Sequence, residues 1–160
     1  MPPREPSLRE RALRLLAGRE HSQAELRRKL APHAETESQL DELIEDLLSR
    51  KLVSDARYAE SRSHVMARKY GASRIAHDLR AKGVSEAEAG KAIEAARSTD
   101  LERAREIYAR KYRRAAEAGS MTREDRAKRM RFLQSRGFSF AIIRLVMAGD
   151  GGADEAGEDD

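Results

Sequence analysis

The chain has 160 residues, 38% of them charged and 4% aromatic, with no Cys, no Trp and a formal net charge of +4. The missing thiol excludes disulfide scaffolds, thiol nucleophiles and Cys-based zinc sites, and the scarcity of aromatics argues against a deep small-molecule pocket. Leu, Ile, Val and Phe number 28 against 26 Ala, too few for a sandwich or a buried parallel sheet but suited to thin helices that pack closely through alanine.

Residues 1–6 precede the first start signal and are expected to form a flexible N-terminus. Ser7 and Glu10 fit the S/T-x-x-E/Q capping box, in which the hydroxyl accepts an orphan N–H and the acid reaches back to the cap. They open a predicted helix over 7–18, with Leu8, Ala12, Leu15 and Leu16 on one stripe. Ser22 and Glu25 open 22–31, which Pro32 stops. Thr36 and Gln39 open 36–50, whose apolar face is Leu40, Leu43, Ile44, Leu47 and Leu48. Ser54 caps a helix over 55–70 that closes before Gly71, and Ser73 caps one over 73–82 that closes at Gly83. Ser85 with Glu88, and Thr99 with Glu102, open helices over 85–97 and 100–117. Thr122 and Ser139 cap the last two, 123–135 and 140–148, which end at Gly137 and Gly149. Residues 150–160 hold six acids and no large apolar side chain, and are expected to be a disordered acidic tail. No stretch alternates long enough for a sheet. No apolar run suits a signal peptide or a membrane span, so a soluble, cytoplasmic chain is expected.

The nine helices fall into three groups, 7–53, 54–98 and 99–149. Leu79-Arg80-Ala81-Lys82-Gly83-Val84-Ser85 repeats as Leu133-Gln134-Ser135-Arg136-Gly137-Phe138-Ser139, and Arg68-Lys69-Tyr70 as Arg110-Lys111-Tyr112. In the first pair glycine permits a left-handed exit from a helix and Ser caps the next. Such periodicity predicts an all-α chain of three tandem three-helix, helix-turn-helix-like repeats. Net charge rises along them from 0 through +3 to +7, then falls to −6 over residues 150–160. A basic body of this kind seeks a polyanion or an acidic protein surface.

Candidate binding residues are the cations of the later repeats: Arg57, Arg68, Lys69, Arg74, Arg80, Lys82, Arg110, Lys111, Lys128, Arg131 and Arg136. They read either as one basic face or as solvated helix faces with i,i+4 partners. Asp55 with Tyr58 reads as a dipole partner and a packing residue, or as part of a site. Tyr70, Tyr108 and Tyr112 could stack on bases, or fill the core with their hydroxyls at the rim. Phe132, Gly137 and Phe138 read as core and turn. His21, His33, His64 and His77 share no metal spacing, and the acids Asp41, Glu42, Glu45 and Asp46 lie on a polar helix face. No active site, metal or cofactor is expected. General nucleic-acid binding by a helical module stays open, since a helix-turn-helix unit lays its second helix in the major groove. The basic surfaces lack the Asn or Gln beside Arg that base reading favours.

Four segments carry a family resemblance: Ala12–Ser22 running into Glu25–Leu30, Leu52–Ala59, Ile75–Val84 and Phe132–Ser139. In this order and spacing the chain resembles the RecX family of bacterial recombination regulators over about residues 8–148. The resemblance implies three three-helix units in an elongated, curved array. It implies a monomer that binds RecA, chiefly as a filament on single-stranded DNA, with possible direct contact to single- or double-stranded DNA. It further implies inhibition of the recombinase, ATPase and coprotease activities of RecA. Lys51 departs from the family, which often has Gly in the turn before Ser54-Asp55-Ala56-Arg57-Tyr58.

Overall fold

Capping chemistry turns directly into helices. The computed structural model describes residues 1–116 and 119–150, and among them it holds nine α-helices and no strand. These are α1 (Leu8–Gly18), α2 (Gln23–Leu30), α3 (Glu37–Ser49), α4 (Asp55–Met66), α5 (Ala72–Ala81), α6 (Glu86–Ser98), α7 (Asp100–Ala116), α8 (Arg123–Ser135) and α9 (Phe140–Asp150). Pro32 sits in a 3-10 turn, Ala31–His33, directly after α2. No helix among the described residues is long and apolar enough to cross a membrane. Of the expected tail, residues 151–160 lie outside the described residues.

The chain divides into two compact units, Met1–Val65 with Ala76–Ile93, and Met66–Ile75 with Glu94–Asp160. In the first, Leu8 and Ala12 of α1 meet Leu26 and Leu30 of α2, and Ile44 and Leu47 of α3. In the second, Ala104, Ile107 and Tyr108 of α7 meet Leu133 of α8, and Ile143, Val146 and Met147 of α9. Ala104 is fully buried in that layer, as expected where thin helices approach closely.

Three helices end in one hydrogen-bond pattern. The N–H groups of Leu52, Val84 and Phe138 donate to the carbonyls of Leu47, Leu79 and Leu133 at 2.9, 3.0 and 3.3 Å. Inside each ring Lys51, Gly83 and Gly137 donate to Leu48, Arg80 and Gln134. These are Schellman closures, whose C′ residue must be left-handed. The C′ angles are φ 79° at Gly83 and 89° at Gly137, and Lys51 adopts φ 58° without being glycine. Packing adds a second constraint: a Cβ on Gly83 would stand 2.6 Å from Ala24 Cβ.

Several caps differ from those the local motifs predict. Thr122 makes a full capping box with Asp125 rather than a plain cap. The Thr36 hydroxyl accepts the Gln39 N–H as expected, but the Gln39 Oε1 accepts the Glu35 N–H and not that of Thr36, so the box stays half made. The Thr99 hydroxyl donates to the Ala96 carbonyl and accepts from the Arg103 Nε of α7. Ser73 is exposed and does not start α5, because the helix already begins at Ala72, whose N–H donates to the Asp100 carboxylate at 3.1 Å. α4 stops at Met66, four residues early, because the Arg103 guanidinium takes the Ala67 and Tyr70 carbonyls. α9 runs on through Gly149 to Asp150, whose carboxylate is held by Arg129 at 2.9 Å and by the Tyr108 hydroxyl. Asp150 thus belongs to the helix and not to the acidic tail.

Candidate functional site

Five of the eleven candidate cations come together in the second unit. Arg68 and Lys69 from the turn after α4, Arg110 and Lys111 from α7, and Arg136 after α8 line one open groove of about 300 Å3. Its floor is Ile107 and the half-buried Phe132. The Lys111 ammonium lies 4.0 Å from the Phe132 ring centroid and the Arg136 guanidinium 5.1 Å, so the negative ring face steadies both.

Local chemistry sets this placement. Arg103 is largely buried and pairs with Asp100; its two remaining faces grip the turn 67–70 by the Ala67 and Tyr70 carbonyls. The Gly71 N–H then donates to the Arg136 carbonyl at 2.7 Å, which fixes that turn to the end of α8. The two backbones touch so closely that a Cβ on Gly71 would stand 2.5 Å from the Gly137 oxygen. Arg103 therefore aims Arg68 and Lys69 at Arg110 and Lys111 without lining the groove.

No carboxylate lines the groove, and none of its five cations joins an ion pair among the described residues. Like charges gathered over an apolar floor repel one another, and an anion entering the groove relieves that repulsion. The arrangement suits phosphates or a row of carboxylates. Nothing in it activates a nucleophile or holds a proton for transfer.

The other candidates are placed differently. Arg57 donates to Glu20 at 2.9 Å, and Arg80 to Glu86 at 3.1 Å. Arg74 donates to the Ser135 carbonyl and covers the Tyr70 ring at 4.9 Å. The Lys82 carbonyl accepts from the buried Ser22 hydroxyl at 2.9 Å. Lys128 and Arg131 are exposed on α8 and do not line the groove. Asp55 accepts the Gln23 N–H at 2.7 Å and so caps α2, while Tyr58 is buried.

The tyrosines serve packing. Tyr108 is buried, with its ring 5.1 Å from that of Tyr112 and its hydroxyl held between Arg129 and Asp150. Burial, with the Asp150 carboxylate beside it, pushes the Tyr108 hydroxyl up to about 12. Tyr112 meets Phe132 edge-on, and Tyr70 is covered by Arg74 and Arg136. No group of three His, Asp or Glu side chains among the described residues could hold a metal ion.

Three family models match the chain: RecX, first three-helix domain, at residues 9–47; second three-helix domain at 54–93; and third three-helix domain at 98–147. The chain is 43% identical over 142 residues to the regulatory protein RecX of Leptothrix cholodnii, covering 88% of this chain and 87% of that protein. It is 37% identical over 158 residues to that of Ralstonia pickettii, covering 98% and 95%. Among solved structures, RecX from Lactobacillus salivarius shares the fold with a TM-score of 0.76 at 24% identity, over 89% of this chain and 93% of that one.

Proposed function

Since the chain belongs to the RecX family, we propose that it regulates RecA by binding the RecA filament on single-stranded DNA, inhibiting its recombinase, ATPase and coprotease activities. The family supplies the target. The observation that carries the mode of action is the five-cation groove, whose cations join no ion pair among the described residues. The protein acts by occupancy, as a cytoplasmic monomer, and no step of catalysis is required of it. In this reading the repeats run 7–53, 54–98 and 99–149, and the last two supply the polyanion surface.

The test is RecA ATPase on single-stranded DNA, titrated with the full chain beside a DNA-only binding assay. Wild type is expected to inhibit at fewer than one molecule per RecA. Arg68→Ala with Lys69→Ala, and Arg110→Ala with Lys111→Ala, should each weaken inhibition about tenfold, as when charged anchors of an interface are truncated. Arg9→Ala with Arg11→Ala is the control, since Arg9 already donates to Asp46. The log–log salt slope on free DNA should fall by about 0.7 for each phosphate that is no longer neutralised. If inhibition falls and that slope stays, the groove meets carboxylates of RecA. Binding to DNA with no effect on the ATPase would favour a general nucleic-acid-binding module.

A further inference from the structure

The second unit carries another concavity, of different chemistry. Between α8 and α9 runs a groove of about 510 Å3, lined by Met130, Ala141, Leu145, Met147 and Ala148, with Arg126 and Arg144 at its sides. Ala141, Leu145 and Ala148 recur at four and three residues, so they share one stripe of α9. Two alanines on that stripe leave room for another backbone, and the half-buried Met130 can adapt to the side chains it brings.

The stripe is not used by the core. Leu145 is 50% exposed and Phe140, at the start of α9, is 64% exposed. These are the two exposed large apolar side chains of this unit among the described residues. Arg126 and Arg144 join no ion pair there. The nearest acid on α9, Asp150, is already taken by Arg129. Among the described residues the groove thus has an apolar floor and a cationic rim outside any ion pair. Two helices offer no strand edge to an added strand, and an apolar groove between them accepts a helix. A phosphate backbone would leave the apolar floor unfilled, and the five-cation groove serves it better.

From this geometry we infer that the α8–α9 groove docks an amphipathic helix of RecA whose apolar ridge is flanked by Asp or Glu; the inference rests on the proposed function. The second unit then divides its work, with phosphates at Arg68, Lys69, Arg110, Lys111 and Arg136, and protein at Leu145 with Arg126 and Arg144.

The experiment measures full-length chain against RecA without DNA, and against single-stranded DNA without RecA. Leu145→Asp is tolerable to the fold because the side chain is half in solvent, and its helical circular dichroism should match wild type. It should bind RecA about tenfold more weakly and DNA as before, as should Arg126→Glu with Arg144→Glu for RecA. Arg110→Ala with Lys111→Ala should show the reverse. With p-benzoylphenylalanine in place of Leu145, photocrosslinking to purified RecA should map to one acid-flanked helix. If wild type inhibits RecA and Leu145→Asp binds it equally well, the inference is overturned while the proposed function stands. If wild type neither binds nor inhibits RecA, both fall. A crosslink to a second copy of this chain, with a dimer that Leu145→Asp dissociates, would overturn the inference in favour of self-association.

Discussion

At Lys51 a side chain occupies a backbone conformation, φ 58°, that favours glycine. The left-handed region costs an L-residue roughly 1–2 kcal/mol, and glycine returns about 0.5–1 of that in lost chain entropy. Lys51→Gly should therefore raise stability by about 0.5–1 kcal/mol, read as a higher urea midpoint at unchanged slope. Gly137→Ala tests the converse, since its φ is 89° and its missing Cβ would press on the Arg74 backbone; a loss of about 2 kcal/mol or more is expected. The departure at Lys51 was visible in sequence only through the family resemblance, in which glycine often holds this turn. Residue chemistry also sets a pH response in the first unit. His21 is buried, its Nδ1 donates to the Arg19 carbonyl at 3.0 Å, and its Nε2 must accept from the Lys29 ammonium at 3.4 Å. Burial depresses its pKa below the ordinary 6.5, so the unfolded chain takes up the proton first and stability falls as pH drops through 6.5. Glu25 is held down to about 2, first by its hydrogen bonds from Arg19. Its contribution is complete above the ordinary 4.5 and is lost between there and about 2. Urea midpoints measured from pH 8 to pH 3 should fall in those two stages, and His21→Gln should remove the upper one.

Two helices here take an N-terminal acceptor from the first helix of the following repeat, α2 in addition to its own Ser22 cap. Asp55, the first residue of α4, accepts the Gln23 N–H that opens α2. Asp100, the first residue of α7, accepts the Ala72 N–H that opens α5. The sequence showed an Asp at each helix start, where it favours its own dipole, but not that each also serves a helix 32 or 28 residues back. The same blindness explains Ser73 and the short α4. A local hydroxyl and a favourable period were legible, whereas Arg103 reaching the carbonyls of the turn 67–70 is a tertiary contact with no local signature. The two caps should differ in cost. Asp55→Ala should lose about 1 kcal/mol, as for an ordinary N-cap. Asp100→Ala also strands the largely buried Arg103, and about 3–5 kcal/mol is expected, as when a buried pair is broken. Thermal or urea denaturation of both variants would check the ranking. Equal losses would mean that Arg103 is held by the carbonyls alone.

Across the whole chain, the rise in charge from 0 to +7 was readable by counting, but its focus was not. Arg57 is neutralised by Glu20, 37 residues away, and Arg62 by Asp78, while five other cations converge with no ion pair among the described residues. Phe132 read simply as a core residue, and its place beside Ile107 on the groove floor follows only from packing. The C-terminal end shows why the difference matters. Counting put Asp150 with five further acids, yet its carboxylate is bound by Arg129, whose side chain is only 9% exposed, and by Tyr108. Removing residues 151–160 takes away five carboxylates and leaves this pair, so the melting temperature should not change. The net charge moves from +4 to +9, and affinity for single-stranded DNA at low salt should rise. That gain should shrink as salt is added, because charges are screened beyond about 8 Å at physiological ionic strength. Asp150→Asn in the full chain is the complement. It removes one charge but leaves Arg129 buried beside a neutral amide, so it should cost about 2–3 kcal/mol, below the 3–5 of a fully enclosed pair. It should also let the Tyr108 hydroxyl fall back from about 12 towards 10, seen as an earlier rise in ultraviolet absorbance on alkaline titration. Were the truncation to destabilise the protein as much as Asp150→Asn, the boundary between helix and tail would lie beyond Asp150. Were its DNA affinity unchanged at low salt, the five acids would stand too far from the basic groove to compete for it.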